Sequence, residues 1–143
     1  MDYSFTVHTL AWCDGKMLLR EVREAVFVRE QGVSAELEWD GLDESCLHVL
    51  AINKNGCAVA SGRITSQGKI GRMAVLPEWR GKQVGSAVLE ALLNVARSRE
   101  LACVELAAQT QATGFYVRHG FVTVGEVFMD AGIPHIMMRL TIT

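Results

Sequence analysis

The segment from Ile70 to Ala108 constrains the fold more than any other part of this chain. Ile70–Leu76 reads as a strand that Pro77 ends, because proline has no N–H to give to a sheet ladder. Beyond the loop Arg80-Gly81-Lys82-Gln83, the residues Val84, Val88, Ala91, Leu92 and Val95 recur on one helical face of a run that reaches Glu100. Val104–Ala108 follows as a short, nearly all-apolar run, the pattern of a strand with helices over it. A strand, an amphipathic helix and a buried strand in that order require a sheet with helices packed on it.

The remaining segments extend that sheet. Phe5–Leu10 alternates as a strand, and Asp14 is placed to cap a helix whose Leu18, Val22, Ala25 and Val26 form one stripe ending near Gly32. Residues 32–45 show little periodicity and read as a loop with room for a short helix. His48–Asn53 and Cys57–Thr65 flank the hairpin signal Asn55-Gly56, and Gly68 marks the next turn. Ala112–His119 is a brief helix stopped by Gly120, and Phe121–Met129 and His135–Ile142 are closing strands around a turn Asp130–Pro134. The order β-α-β-β-β-α-β-α-β-β predicts an α/β (α+β) fold over residues 1–143, with one mixed sheet and helices on its faces.

Composition narrows the function classes. A chain of 143 residues, half of them apolar, can bury a core without disulfides or metal. Cys13, Cys46, Cys57 and Cys103 form no C-x-x-C pair, and His48 beside Cys46 has no second cluster, so free thiols and no metal site are expected. A net charge of −2 without a basic, aromatic-interleaved cluster argues against a nucleic-acid partner. With neither a basic start before an apolar stretch nor a long apolar window, no membrane association is expected and a cytoplasmic location is. Charge is uneven along the chain. From Glu30 to Leu50 stand Glu30, Glu36, Glu38, Asp40, Asp43 and Glu44 without a Lys or Arg; from Arg63 to Lys82 stand five bases and only Glu78. Two solvated faces would explain this, as would a two-substrate site with an anionic ligand near the second segment and a cationic one near the first.

A strand turning into a helix leaves the first backbone N–H groups unpaired and carries partial positive charge, which makes an anion site. The spacing Gly81-x-x-x-Gly85 matches neither the dinucleotide fingerprint G-x-G-x-x-G nor the P-loop. At this point a plain helix entry with a surface Arg80 and Lys82 remains the alternative.

Later residues supply context. "IGRMAVLPEWRGKQVGSAVLEALL" followed by "VELAAQTQATGFYVRHGF" resembles the acetyl-CoA-binding core of the GNAT-type N-acetyltransferase superfamily. "REAVFVREQGV", Asp40 and Asp43 ahead of His48, and "GEVFMDAGIPHIMM" are similar to its bacterial ElaA-like branch, so the resemblance runs from about Arg20 to Met138. It implies a single-domain GNAT-like fold, a mixed, mostly antiparallel sheet whose strands 4 and 5 splay apart around the pantetheine arm of acetyl-CoA. It also implies that backbone N–H groups of Gln83, Val84, Gly85 and Ser86 hold the pyrophosphate around Gly81, with Arg80 and Lys82 adding charge. Met73 and Val75 would bond the pantetheine arm, and a backbone N–H near Met73 or Ala74 would face the oxyanion. The family loop is Arg/Gln-x-x-Gly-x-Gly/Ala, and Gln83 stands where the first of those glycines belongs; a right-handed Gln83 is expected.

Acetyl transfer to an amine needs a neutral amine, oxyanion stabilisation and protonation of the leaving thiolate. In "FYVRHGF" the resemblance places Tyr116 as general acid, and a phenol stays protonated at neutral pH. Candidates to take the amine's proton are Glu30, His48, Glu105, Glu126 and His135. Glu30 and His135 fall in the branch-like segments and are expected at the acceptor end. Glu105 interrupts an apolar strand, so it is functional or paired. Asp43 and His48 can instead order the acidic loop, and His119 reads as a helix C-terminal residue facing the dipole. The expected function is transfer of an acetyl group to a primary amine of a small molecule or peptide, cationic by the logic of the acidic run, through a ternary complex. The alternatives are a non-catalytic acyl-CoA sensor and a transferase for another acyl group. Family members are often dimers, which leaves a homodimer open.

Overall fold

The computed structural model describes residues 2–142. The elements in order are β1 (Phe5–Ala11), α1 (Trp12–Arg23), a π-helical stretch Glu24–Glu30, α2 (Ala35–Glu38), β2 (Leu47–Asn53), β3 (Ala58–Ile64), β4 (Lys69–Val75), α3 (Val84–Ser98), β5 (Cys103–Gln109), α4 (Thr113–Arg118), β6 (Val122–Asp130) and β7 (Ile133–Thr141). The strands make one sheet in the order β1-β2-β3-β4-β5-β7-β6. Every pair is antiparallel except β4 with β5. This is the single mixed sheet expected from the sequence. Among the described residues no helix is long and apolar enough to cross a membrane.

Helices cover both faces of the middle strands, which is why β3 is buried along its whole length. On one face the stripe of α3, with Val84, Val88, Leu89 and Leu92, packs against Val49, Ile64, Leu106 and Met138. On the other, Leu19 and Val22 of α1 pack with Trp12 and Leu50, and Val26 and Phe27 of the π-helical stretch pack on Ala74. The β2–β3 hairpin closes as its Asn-Gly signal implies: the Asn53 side-chain oxygen accepts from the N–H groups of Asn55 and Cys57, and Gly56 takes φ 82°.

Local details correct the sequence reading. Asp14 does not cap α1, which starts at Trp12 with Ala11 before it; the chain kinks at Gly15 instead, so Asp14 sits inside the first turn. The helix does end at Gly32, φ 73°, but its last seven residues are wound as a π-helix, a form that concentrates at functional sites. The turn Asp130–Pro134 tightens to Ala131-Gly132, both left-handed at φ 53° and 75°. Pro134 thereby joins β7 opposite Met129, one place beyond the last β5 pair, Gln109 with His135, where its missing N–H interrupts no β5 bond.

Strands β4 and β5 pair only at Lys69 with Glu105 and Ile70 with Leu106, then separate. A bulge assists: β4 shifts register against β3 between Ser61 and Arg63, beside Arg72 at φ 52°.

Gln83 is left-handed, φ 67° and ψ 10°, against the right-handed expectation. The loop leaves an extended Arg80, passes Gly81 at φ 75° and must reverse into the first turn of α3. That reversal needs the conformation glycine adopts freely, and glutamine holds it at about 1 kcal/mol of strain. Gln83→Gly is therefore expected to raise stability in urea unfolding by up to about 0.5 kcal/mol, the strain relieved outweighing the added freedom of the unfolded chain; a loss of stability would show that the glutamine side chain contributes contacts of its own.

Candidate active site

A cleft of about 910 Å³ opens where β4 and β5 part. Its walls come from β4, the β4–α3 loop, α4, β5, the π-helical stretch, α2 and the β6–β7 turn.

At one end Arg80, Gly81, Gln83, Val84, Gly85 and Ser86 line it. The first intrahelical bond of α3 runs from the Ala87 N–H to the Gln83 carbonyl, so the N–H groups of Val84, Gly85 and Ser86 are left for another acceptor. A Cβ at Gly85 would sit 3.5 Å from both Phe115 and Val75 and fill the space between them, so glycine keeps the helix start open to the cleft. Met73, Ala74 and Val75 line the neighbouring wall, beyond the reach of β5 pairing. Free helix-start donors beside a strand edge that β5 leaves unpaired fit a pyrophosphate with an extended amide arm, although the Val75 carbonyl on that strand is taken by Arg80.

The two cations are placed otherwise than expected. Lys82 does not line the cleft: its Nζ lies 4.7 Å from the centre of the Tyr3 ring, in the segment that precedes β1. Arg80 does line it, but its Nε donates to the Val75 carbonyl at 3.0 Å and its Nη1 and Nη2 donate to the two Glu30 oxygens at 2.7 and 2.6 Å. This pair joins the loop to the π-helical stretch. The hydrogen bonds from Arg80 hold the Glu30 carboxyl below the usual carboxylate range, outweighing a small burial effect.

Tyr116 lies deep in the same cleft, its ring edge-on to Phe115 and Phe121 at 5.0 and 5.8 Å. Burial pushes its pKa up to about 12. His119, at the C-terminal end of α4, hydrogen-bonds the Ser86 hydroxyl at 3.0 Å and so ties α4 to the helix start.

Toward the β6–β7 turn His135 lines the cleft with Gln109, Ile133 and Asp130, while Glu30, held by Arg80, lines it on the side of the loop. His135 donates from Nδ1 to the Ile133 carbonyl at 2.7 Å, which leaves Nε2 free, and its ring stacks with Phe128 at 6.0 Å. The amide pair Gln31 and Gln109 was not foreseen: Gln109 Nε2 donates to Gln31 Oε1 at 2.9 Å across the cleft wall. Its signal in the sequence is the polar residue that ends the apolar run "VELAAQ".

The other base candidates lie elsewhere. Glu105 is outside the cleft, paired with Arg139 at 2.9 Å, because the β5–β7 register sets those residues opposite each other. His48 is buried beneath Trp12, its Nε2–H donating to the Asp43 carbonyl at 2.9 Å; burial lowers its pKa against that bond. It orders the acidic loop. Glu126 is on the exposed β6 and lines nothing.

The acidic run faces arginines. Arg23 binds Glu38 and Asp43, each at 2.7 Å; Arg63 binds Asp43 at 2.9 Å and also Asp40; Arg72 binds Glu38 at 3.0 Å and Asp40 at 3.2 Å. Burial opposes the ionisation of all three acids. It prevails at Glu38, whose pKa is raised, whereas hydrogen bonds and charge from the arginines hold Asp40 and Asp43 below the usual range. The network pins residues 35–45 to β3 and β4 as a roof over the cleft, and it removes these acids as the ground for a cationic acceptor. Among the described residues no group of His, Cys, Asp and Glu is arranged to hold a metal ion.

The family model described as acetyltransferase (GNAT) domain matches residues 18–142. The uncharacterized N-acetyltransferase YjcF of Bacillus subtilis is 40% identical over 121 residues, which are 82% of this chain and 86% of that protein. Among solved structures, an acyl-CoA N-acyltransferase from Pseudomonas aeruginosa superposes with a TM-score of 0.86 at 31% identity, covering 96% of this chain and 100% of its own. Escherichia coli ElaA does so with a TM-score of 0.84 at 31% identity, covering 94% and 99%.

Proposed function

Since the chain belongs to the GNAT acetyltransferase family, we propose that it transfers an acetyl group from acetyl-CoA to a primary amine by direct attack within a ternary complex. The observation that carries this reading is one cleft lined together by the α3 start with its free N–H groups, Tyr116, Glu30 and His135.

When bound, acetyl-CoA supplies the thioester; the rest of the chemistry falls to the chain. The N–H groups of Gln83, Val84, Gly85 and Ser86 bind the pyrophosphate, and the backbone of Met73, Ala74 and Val75 receives the pantetheine arm and offers the oxyanion a donor. Glu30 or His135 takes the proton of the substrate ammonium. The freed nitrogen then bonds to the acetyl carbon as the C–S bond breaks, and Tyr116 gives its proton to the departing thiolate. The second proton that the nitrogen sheds on becoming an amide restores the Tyr116 phenol, and solvent removes the one held by the base. Val26 and Phe27, packed on Ala74, form an apolar wall beside this point that suits a short acyl group.

Release of free thiol from acetyl-CoA across a panel of amines, with the acetylated product identified by mass, tests the reading. Tight calorimetric binding of acetyl-CoA with no release from any amine would make the protein an acyl-CoA sensor.

Glu30 has a separately measurable effect. Glu30→Gln frees the Arg80 guanidinium for the coenzyme anion, and the calorimetric Kd for coenzyme A is expected to fall several-fold at low salt. If Glu30 is also the base, kcat falls in the same variant; if His135 is, kcat holds. An unchanged Kd would mean that Arg80 never faces the coenzyme.

A further inference from the structure

Resting on the transferase reading, we propose that the open face formed by β5, β7 and β6 is a platform for the acceptor, and that the acceptor is a monoamine with an apolar, flat body. The strand register sets Ala107 and Gln109 of β5, Met137 and His135 of β7, and Val124 and Phe128 of β6 side by side. Directly opposed residues share a face, and this face is the one turned away from α3, since the alternate residues Leu106 and Met138 lie in the core beneath α3.

The face is continuous with the cleft. Ala107, Gln109, Ile133 and His135 line the cleft, and Phe128 stacks on His135 at its edge. From there the surface runs outward over apolar side chains left open among the described residues: β6 is exposed along its whole length and has its substantial contacts with β7 alone. Phe128 is 37% exposed and Val124 38%. Leu37, 59% exposed, and Leu42, 47% exposed, line the same cleft from the roof. Large apolar side chains side by side on a face continuous with a cleft are a binding feature, unlike single exposed ones.

Charge points the same way. Of the acids lining the cleft, Glu30, Glu38 and Asp40 are held by arginines, and among the described residues Asp130 alone has no cation within salt-bridge distance. One carboxylate can attract one ammonium; a polyamine or aminoglycoside would find no row of free acids to lie against. A second copy of the chain is a poorer occupant of this face. Pairing along the β6 edge needs an unbroken strand, and the β6–β7 register shifts between Val124 and Phe128, where Gly125 takes φ 80°.

The test compares propylamine, 2-phenylethylamine and spermidine as acceptors for the full-length protein at saturating acetyl-CoA, with calorimetric binding of 2-phenylethylamine as a second readout. The expected order places 2-phenylethylamine about tenfold above propylamine in kcat/KM, the effect of burying one ring face, and spermidine no higher than propylamine. Phe128→Ser, and independently Val124→Ser, should draw the phenylethylamine-to-propylamine ratio toward one and weaken calorimetric binding of 2-phenylethylamine by a similar factor. A preference for spermidine, or a ratio unmoved in both variants, overturns the platform. So does a wild-type dimer that Phe128→Ser splits in light scattering, since a second copy would then cover the face. Release from none of the amines removes the transferase reading and the platform with it, whereas release from spermidine ahead of 2-phenylethylamine removes the platform alone.

Discussion

Tyr116→Phe is expected to lower kcat for thiol release by about a hundredfold or more, while the calorimetric Kd for acetyl-CoA stays within about twofold. The substitution removes one oxygen and leaves the ring that packs edge-on to Phe115 and Phe121, so the loss would report proton donation and not a collapsed wall. Burial has already set the phenol for this task. With its pKa pushed up to about 12, Tyr116 remains in its acid form throughout the neutral and mildly alkaline range. A raised pKa means that the proton is held at all pH values below it, so the wild-type rate should show no alkaline limb from this group until the pH nears 12. Any rise of rate with pH between acid and neutral would then belong to the base. An unchanged kcat in Tyr116→Phe would place the acid elsewhere, and a water held by the α3 start would be the next candidate.

What the sequence disclosed depended on how far each residue's partners lie along the chain. The α3 stripe, the apolar run of β5 and the Asn55-Gly56 hairpin are set by periodicity or turn chemistry over a few residues, and all form where expected. Gln83 fails that test, because its own preference opposes the left-handed form and only the meeting of β4, the loop and α3 imposes it. Glu30, Glu38, Asp40 and Asp43 invited a cationic ligand because their partners Arg23, Arg63, Arg72 and Arg80 lie on other elements and come near only in the folded chain. Glu105 is the same case: its pairing with Arg139 follows from a strand register that no local pattern encodes. The α3-start loop and Tyr116, which line one cleft, stand in one motif, whereas Glu30, Gln109, Asp130 and His135, which line the same cleft, share nothing in sequence.

The roof over that cleft should be the most sensitive point for stability. Arg23 is almost wholly buried, bound to Glu38 and Asp43, and its guanidinium lies 5.5 Å from the Trp12 ring centre and 4.9 Å from that of Trp39. Arg23→Met keeps much of the stem's volume and deletes the charge, leaving two buried carboxylates short of a partner. The expected loss in urea unfolding at neutral pH is about 3 kcal/mol, toward the lower end for a broken buried pair, because Arg72 still binds Glu38 and Arg63 still binds Asp43. The pH dependence separates charge from packing. Glu38 already has its pKa raised by burial, and without Arg23 it rises further; a carboxyl of raised pKa destabilises the fold above that pKa and ceases to do so once protonated. Asp40 and Asp43 act in the opposite sense in the wild type, their depressed pKa values giving stability that is complete above the ordinary aspartate range and lost on acidification. The gap between wild type and Arg23→Met should therefore narrow as the pH falls through the Glu38 titration, and Glu38→Gln added to the variant should close part of it at neutral pH. A gap constant from acid to neutral pH would assign the loss to the packing of Trp12 and Trp39 around the missing guanidinium, and the roof would be held by aromatic contact in place of charge.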